Sequence, residues 1–176
     1  AELPTVTKDN CAMSLFINAG LSAELESSHF NQGDGVGLYR TEIPFMLRER
    51  FPSEQEQYEL YRAILNAHPE KEMTMRTLDV GGDKPLPYMP IAEEENPFLG
   101  LRGVRVMLQR EELFRIQLRA ILRAAEHGNV HVMFPMITTI EDFRSAKALL
   151  EEERAKLGLD PIPVGIMVEV PTTAVM

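Results

Sequence analysis

Two periods of apolar residues alternate along the chain. Short, almost wholly apolar runs are separated by longer stretches in which apolar positions recur every three or four residues. That alternation predicts a parallel α/β architecture, strand then helix, repeated. Cys11 to Ala19 reads as a first strand, Ser22 to Phe30 as a short helix that stops before Gly33, and Val36 to Arg40 as a second strand. Pro52-Ser53-Glu54-Gln55-Glu56 carries a capping-box pattern with Ser53 as N-cap, and opens a helix whose buried stripe is Leu60, Tyr61, Ile64 and Leu65. Met73 to Val80 is the third strand. Residues 81–101, rich in Gly, Pro and acid, are far longer than an ordinary connection of about two to six residues, which marks a loop with a task.

A helix from Arg110 to Glu126 presents Leu113, Ile116, Ala120, Ile121 and Ala124 on one face and stops at Gly128. Val130 to Met136 is the fourth strand. Thr138 with Glu141 repeats the capping box, and the helix it opens buries Ile140, Phe143, Ala146, Leu149 and Leu150 and ends near Gly158. Val164 to Val168 is the fifth strand, and no helix is expected after it. Strand starts near residues 12, 36, 73, 130 and 164 are about 38 residues apart on average, of the order of the roughly 30-residue unit of a (β/α)8 barrel of about 250 residues. The fold class is therefore α/β, a partial TIM (β/α)8 barrel of five units, with residues 1–176 in a single domain. An unclosed sheet would present two unpaired edges, which favour self-association. A complete five-stranded doubly wound domain also suits the length, but no phosphate-binding loop follows the first strand.

The composition narrows the partners. With 44% hydrophobic and 26% charged residues the chain is an ordinary globular one, and a formal charge of −9 with no basic stripe argues against nucleic acid and acidic membranes as partners. Any anion site must be local. Cys11 is the single cysteine, so no intrachain disulfide forms and a reducing, cytoplasmic setting is expected. Residues 1–10 hold charges and a Pro in place of a leader's apolar core, and no stretch approaches the roughly 20 apolar residues that cross a bilayer.

Against that acidic background three arginines stand out. Arg40, Arg76 and Arg102 each follow an apolar run, in Val36-Gly-Leu-Tyr-Arg40, Met73-Thr-Met-Arg76 and Asn96-Pro-Phe-Leu-Gly-Leu-Arg102, and Val164-Gly-Ile-Met-Val168 ends in Glu169. Guanidinium groups are planar, permanently charged forks that match phosphate and carboxylate oxygens. A carboxylate beside them points to a hard cation such as Mg2+, shared with the substrate's oxygens. Period-two alternation puts Val36, Leu38 and Arg40 on one side of the second strand, and Thr74 and Arg76 on one side of the third. Ligands of parallel α/β folds lie outside the carboxyl ends of the strands, where Arg40, Arg76 and Glu169 fall. The plainer alternative is that each Arg only pairs with a nearby acid such as Glu42 or Asp79; three together favour a site. Gly81-Gly82-Asp83-Lys84 sets free amides beside a Lys, though its spacing is not that of a P-loop. Gly33-Asp34-Gly35-Val36-Gly37 precedes its strand and is no dinucleotide fingerprint. The four His residues are dispersed without metal-ligand spacing, and the strand methionines fill core.

Four blocks, Gly-Val-Gly-Leu-Tyr-Arg-Thr-Glu (35–42), Arg-Thr-Leu-Asp-Val-Gly-Gly-Asp-Lys (76–84), Glu-Asn-Pro-Phe-Leu-Gly-Leu-Arg-Gly-Val-Arg (95–105) and Gly-Ile-Met-Val-Glu-Val-Pro (165–171), occur in order. Together they resemble the phosphoenolpyruvate-binding barrel of enzyme I, the phosphoenolpyruvate–protein phosphotransferase of the bacterial phosphotransferase system. Ile43-Pro-Phe-Met46 and Phe51-Pro-Ser-Glu54 resemble its nitrogen-related branch more than its sugar branch. The resemblance implies the first five units of the barrel, in a homodimeric enzyme that passes the phosphoryl group of phosphoenolpyruvate to a His of a separate N-terminal domain and then to a small His-containing phosphocarrier protein. It implies that Arg40 and Arg76 hold the phosphate, that Arg102 stabilises the moving phosphoryl group and the enolate, that Lys84 adds charge, and that Glu169 ligates Mg2+. In that family a second metal carboxylate, an Asn, an Arg for the substrate carboxylate and a proton-donating Cys lie beyond the fifth strand; Cys11 does not correspond to that Cys. These 176 residues are thus expected to be a fragment without turnover, lacking the phosphohistidine domain and the barrel's C-terminal half. The similar barrel of pyruvate phosphate dikinase or phosphoenolpyruvate synthase, and a non-catalytic dimerising or ligand-sensing module, are the alternatives.

Overall fold

The computed structural model describes residues 5–25, 33–82, 85–92 and 94–175. Strands β1 (Phe16–Ala19), β2 (Gly35–Arg40), β3 (Glu72–Arg76), β4 (Asn129–Phe134) and β5 (Val164–Ile166) form one parallel sheet in the order β1-β2-β3-β4-β5. The order never reverses. A doubly wound sheet needs such a reversal to put helices on both faces, so the complete doubly wound alternative is wrong; right-handed crossovers in unbroken order lay every helix on one face, as in part of an α/β barrel.

Helices α1 (Ser22–Leu25), α2 (Glu42–Met46), α3 (Glu54–Ala67), α4 (Val104–Gln109), α5 (Glu111–Ala124), α6 (Ile140–Leu157) and α7 (Pro171–Val175) accompany the strands. The predicted helix over 22–30 is described only as far as Leu25. The Ser53 capping box forms as the sequence requires: Ser53 Oγ accepts from the Glu56 amide at 3.3 Å and Glu56 Oε2 accepts from the Ser53 amide at 2.8 Å. In α6 the box sits one residue later than expected, on Thr139 and Asp142, with Asp142 Oδ2 accepting from both the Thr138 and Thr139 amides at 3.1 and 2.9 Å. Thr139 is the residue in extended conformation, which makes Asp142, not Glu141, the third helical residue that closes the box; Ile140, expected inside, is exposed. Gly158 ends α6 in the left-handed region at φ 69°.

Tyr61, Ile64 and Leu65 of α3 and Phe114, Leu118 and Ile121 of α5 pack on Val36, Met73, Met75, Val132 and Phe134 of the sheet, all nearly without solvent exposure. The buried side of α5 is turned from the predicted stripe: Phe114, Gln117 and Leu118 are inside while Leu113 and Ile116 are half-buried. The helix layer is also stitched by charge. Arg115, Arg119 and Arg123, spaced four apart along α5, reach Glu153 of α6 (2.5 and 3.2 Å) and Glu54 of α3 (2.6 and 2.7 Å). Among the described residues no helix is long and apolar enough to cross a membrane.

Three further expectations need correction. The first strand is only Phe16–Ala19, because Val6 pairs antiparallel with Ala12 and the preceding residues turn back on themselves. Val36 does not share a side with Leu38 and Arg40: the β1–β2 ladder passes from Ile17↔Val36 to Asn18↔Leu38, so Gly37 is an unpaired bulge residue and the alternation changes phase. Val36 and Tyr39, three apart, both face the helices, whereas Leu38 and Arg40 face away. A short helix, α7, does follow β5, with Pro171 at its first position, where the missing N–H is harmless.

Candidate functional site

The sheet face away from the helices is half-buried or open at Leu38, Thr74, His131, Met133 and Gly165, and its carboxyl end carries the arginines. Arg40 and Arg76 are register partners on adjacent strands, and residues paired in register project to the same face. The two guanidinium stems therefore start about 4.8 Å apart, one strand spacing, at one rim.

Arg76 is 6% exposed. Its Nη2 donates to Glu42 Oε1 at 2.5 Å, and its Nη1 lies 3.1 Å from Asp79 Oδ2 and 3.4 Å from Met167 Sδ. Arg102, equally buried, sends Nε and Nη2 to Asp79 Oδ1 and Oδ2 at 3.1 and 3.2 Å and lies 4.7 Å above the Phe98 ring. Asp79 thus joins Arg76 to Arg102 and brings the end of the long loop to the end of β3. The plainer alternative, pairing with Glu42 or Asp79, holds for these two arginines as far as it goes. It does not remove the site, because the acids fix the guanidinium planes and leave other donors unmet.

Those donors are Nε of Arg40 and Nε of Arg76, both buried and without a hydrogen-bond partner. A buried unpaired donor costs on the order of 1–3 kcal/mol, which an acceptor oxygen from a ligand or a water would relieve; Tyr39 Oη and Thr77 Oγ1 nearby are unpaired as well. Arg40 runs over Gly20, where an added Cβ would meet its Nη2 at 3.1 Å and Ile43 at 2.8 Å. Nearby, the Glu24 carboxyl is held below the usual carboxylate range, first by the Gly20 amide at 2.6 Å, then by the Leu21 amide at 2.9 Å, with the Arg40 charge adding to them.

Glu169 is exposed beyond β5, and its Oε1 accepts from the Met136 amide at 2.8 Å. Met167, two residues earlier, touches Arg76, which brings the β5 end to the arginine rim. Among the described residues no three His, Cys, Asp or Glu side chains gather to hold a metal. A single exposed carboxylate suits a cation that takes its remaining ligands from a phosphate and water, not a protein cage. Asp83 and Lys84 lie outside the described residues.

Gly103 lies against Met136 and the Asp79 carboxylate. At φ +56° it occupies the left-handed region, and a Cβ there would come within 2.9 Å of Met136 Cγ and 3.3 Å of Asp79 Oδ1. Gly103→Ala is expected to lower stability by about 2 kcal/mol, from backbone strain plus that clash, and to disturb the Asp79 bridge. Urea denaturation of the variant measures the loss; an unchanged midpoint would show that the turn relaxes freely.

Sequence reasoning found the arginines and Glu169 but treated Glu42 and Asp79 only as competitors for them, and took Met167 for core filling, whereas it lies against Arg76. Asp79 follows Arg76 by three residues inside a buried stretch, Thr77 to Val80, that is at most 1% exposed; a charge in such a run was the signal available.

Comparison with known proteins gives the family. The family model described as PEP-utilising enzyme, PEP-binding domain matches residues 1–176. The chain is 48% identical over 178 residues to the phosphoenolpyruvate-protein phosphotransferase of Listeria monocytogenes, 49% over 178 to that of Staphylococcus carnosus and 47% over 179 to that of Bacillus subtilis. In each case 98% of this chain is covered but only 31% of the relative, so the chain spans about a third of their length.

Proposed function

Since the chain belongs to the family of PEP-binding domains of PEP-utilising enzymes, we propose that it forms the phosphate-holding side of the site in a phosphoenolpyruvate–protein phosphotransferase. The observation that carries this reading is that Nε of both Arg40 and Arg76 lacks a partner, in two residues that are register partners at the carboxyl end of the sheet. A phosphate monoester offers three charged acceptor oxygens to such a pair.

Phosphoryl transfer asks a protein mainly for positioning and charge neutralisation. Arg40 and Arg76 hold the phosphate; Glu42 and Asp79 keep the Arg76 plane from turning; Arg102, tethered to the same Asp79, faces the charge that develops as the phosphoryl group leaves and the enolate forms. Lys84 adds further positive charge from the long loop. Glu169 would hold Mg2+, and the ion would supply positive charge that neutralises the phosphate. In the whole protein the phosphoryl group passes to a His of another domain and then to a His-containing phosphocarrier protein. The relatives' names favour this over the barrels of pyruvate phosphate dikinase or phosphoenolpyruvate synthase. The one-directional strand order and the face without helices support a place as the first five units of an eight-stranded barrel, with the outer edges of β1 and β5 paired by the remaining strands. Homodimerisation and a cytoplasmic setting complete the proposal.

Calorimetric titration tests it. Phosphoenolpyruvate binds the chain saturably and more tightly with Mg2+ than without, and Glu169→Gln abolishes the Mg2+ increment while leaving the metal-free affinity. Absence of saturable heat at millimolar ligand, with or without Mg2+, would contradict the reading.

A further inference from the structure

Behind the arginine rim lies a chain of buried polar groups that no catalytic role requires. Gln117 of α5, with no solvent exposure, accepts from the Leu78 amide through Oε1 at 2.9 Å and donates through Nε2 to Thr41 Oγ1 at 3.1 Å. Thr41, also fully buried, donates its hydroxyl to the Arg76 carbonyl at 2.7 Å. Thr41 directly follows Arg40, and Leu78 follows Arg76 by two residues. Past the last ladder pair the β2 and β3 backbones have no sheet partner for each other, and it is here that these bonds take over. Tyr61 of α3 and Gln57 behind it extend the chain into the helix layer, at 3.4 Å per link.

We propose that Gln117, acting through Thr41, is a positioning residue that sets the separation of Arg40 and Arg76, and so the fit of the phosphate between them. The proposal rests on the reading that these two arginines hold phosphoenolpyruvate. Without the clamp, the turns leaving β2 and β3 can slide past each other, and each arginine moves with its turn. Misplacement of about 1 Å in such a constellation costs on the order of 100-fold in function, and a partial shift correspondingly less.

Three variants test it. Thr41→Val keeps the shape and removes the hydroxyl; Thr41→Ser keeps the hydroxyl; Gln117→Leu removes the amide. Two readouts are taken on folded protein well below each variant's melting temperature: affinity for phosphoenolpyruvate with Mg2+, and the Nε–Hε resonances of Arg40 and Arg76. Thr41→Val and Gln117→Leu are expected to weaken binding by about tenfold and to shift both resonances, while Thr41→Ser stays within about twofold of the wild type with resonances in place. A melting temperature that falls with affinity and both resonances unchanged would reduce the clamp to a structural role and overturn the proposal. If the wild type itself takes up no phosphoenolpyruvate, the functional reading falls, and the clamp is judged on the resonances alone: movement in Thr41→Val and Gln117→Leu with return in Thr41→Ser supports it, and no movement overturns it.

Discussion

Arg76→Ala lowers the affinity for phosphoenolpyruvate with Mg2+ by at least about tenfold, since one charge-assisted pair of this kind contributes ~1.5–3 kcal/mol. The same variant costs about 3 kcal/mol of stability, because its guanidinium neutralises Glu42 and Asp79, both 1% exposed, and buried carboxylates that lose their cation are strongly destabilising. Arg76→Lys separates the two effects. A Lys restores the charge beside the acids but presents no fork, so stability returns further than affinity does. Titration calorimetry and urea denaturation on the same samples measure both; equal binding by wild type and Arg76→Ala would count against the site.

Removing Glu153 has the second large effect, far from the ligand. Its carboxylate is 2% exposed and receives Arg115 at 2.5 Å, Arg119 at 3.2 Å and Lys156 at 2.8 Å. These partners hold its pKa down to about 2 although burial opposes them. Because Arg115 and Arg119 keep 19% and 28% of their side-chain surface in solvent, Glu153→Ala is expected to cost about 2 kcal/mol at neutral pH, less than a fully buried pair. The pH dependence has a definite sign. A folded pKa below the unfolded one gives stability that is fully present above about pH 4.3 and is lost as pH falls toward 2. Wild type therefore loses stability across that window more steeply than Glu153→Ala, and the two denaturation midpoints converge in acid. Parallel pH profiles would exclude the ion cluster as the cause.

Much of this molecule was legible in the sequence, and for stated reasons. Strand–helix alternation follows from local periodicity, and the Ser53 capping box needs only four adjacent residues, so both appear where they were expected. The bulge at Gly37 was not legible, because it depends on how β1 lies against β2 and not on β2's own pattern. Helices α2, α4 and α7, five or six residues each, are too short to be stable by propensity and exist because the surrounding packing holds them. The site divides in the same way. Arginines at strand ends are a one-dimensional signal, whereas the Asp79 bridge to Arg102 spans 23 residues and the Gln117 bond to Thr41 spans 76, and only the folded chain brings them together. Met167 against Arg76 is the extreme case, 91 residues apart.

The central claim is that Arg40 and Arg76 offer their unmet donors to one phosphate group. A diffraction map of the chain soaked with phosphoenolpyruvate and Mg2+ tests it most directly. The phosphate is predicted between the two guanidinium groups, with its oxygens in hydrogen-bond contact with Nε of both. Phosphate density elsewhere, with Arg40 and Arg76 still unpartnered at Nε, would contradict the account.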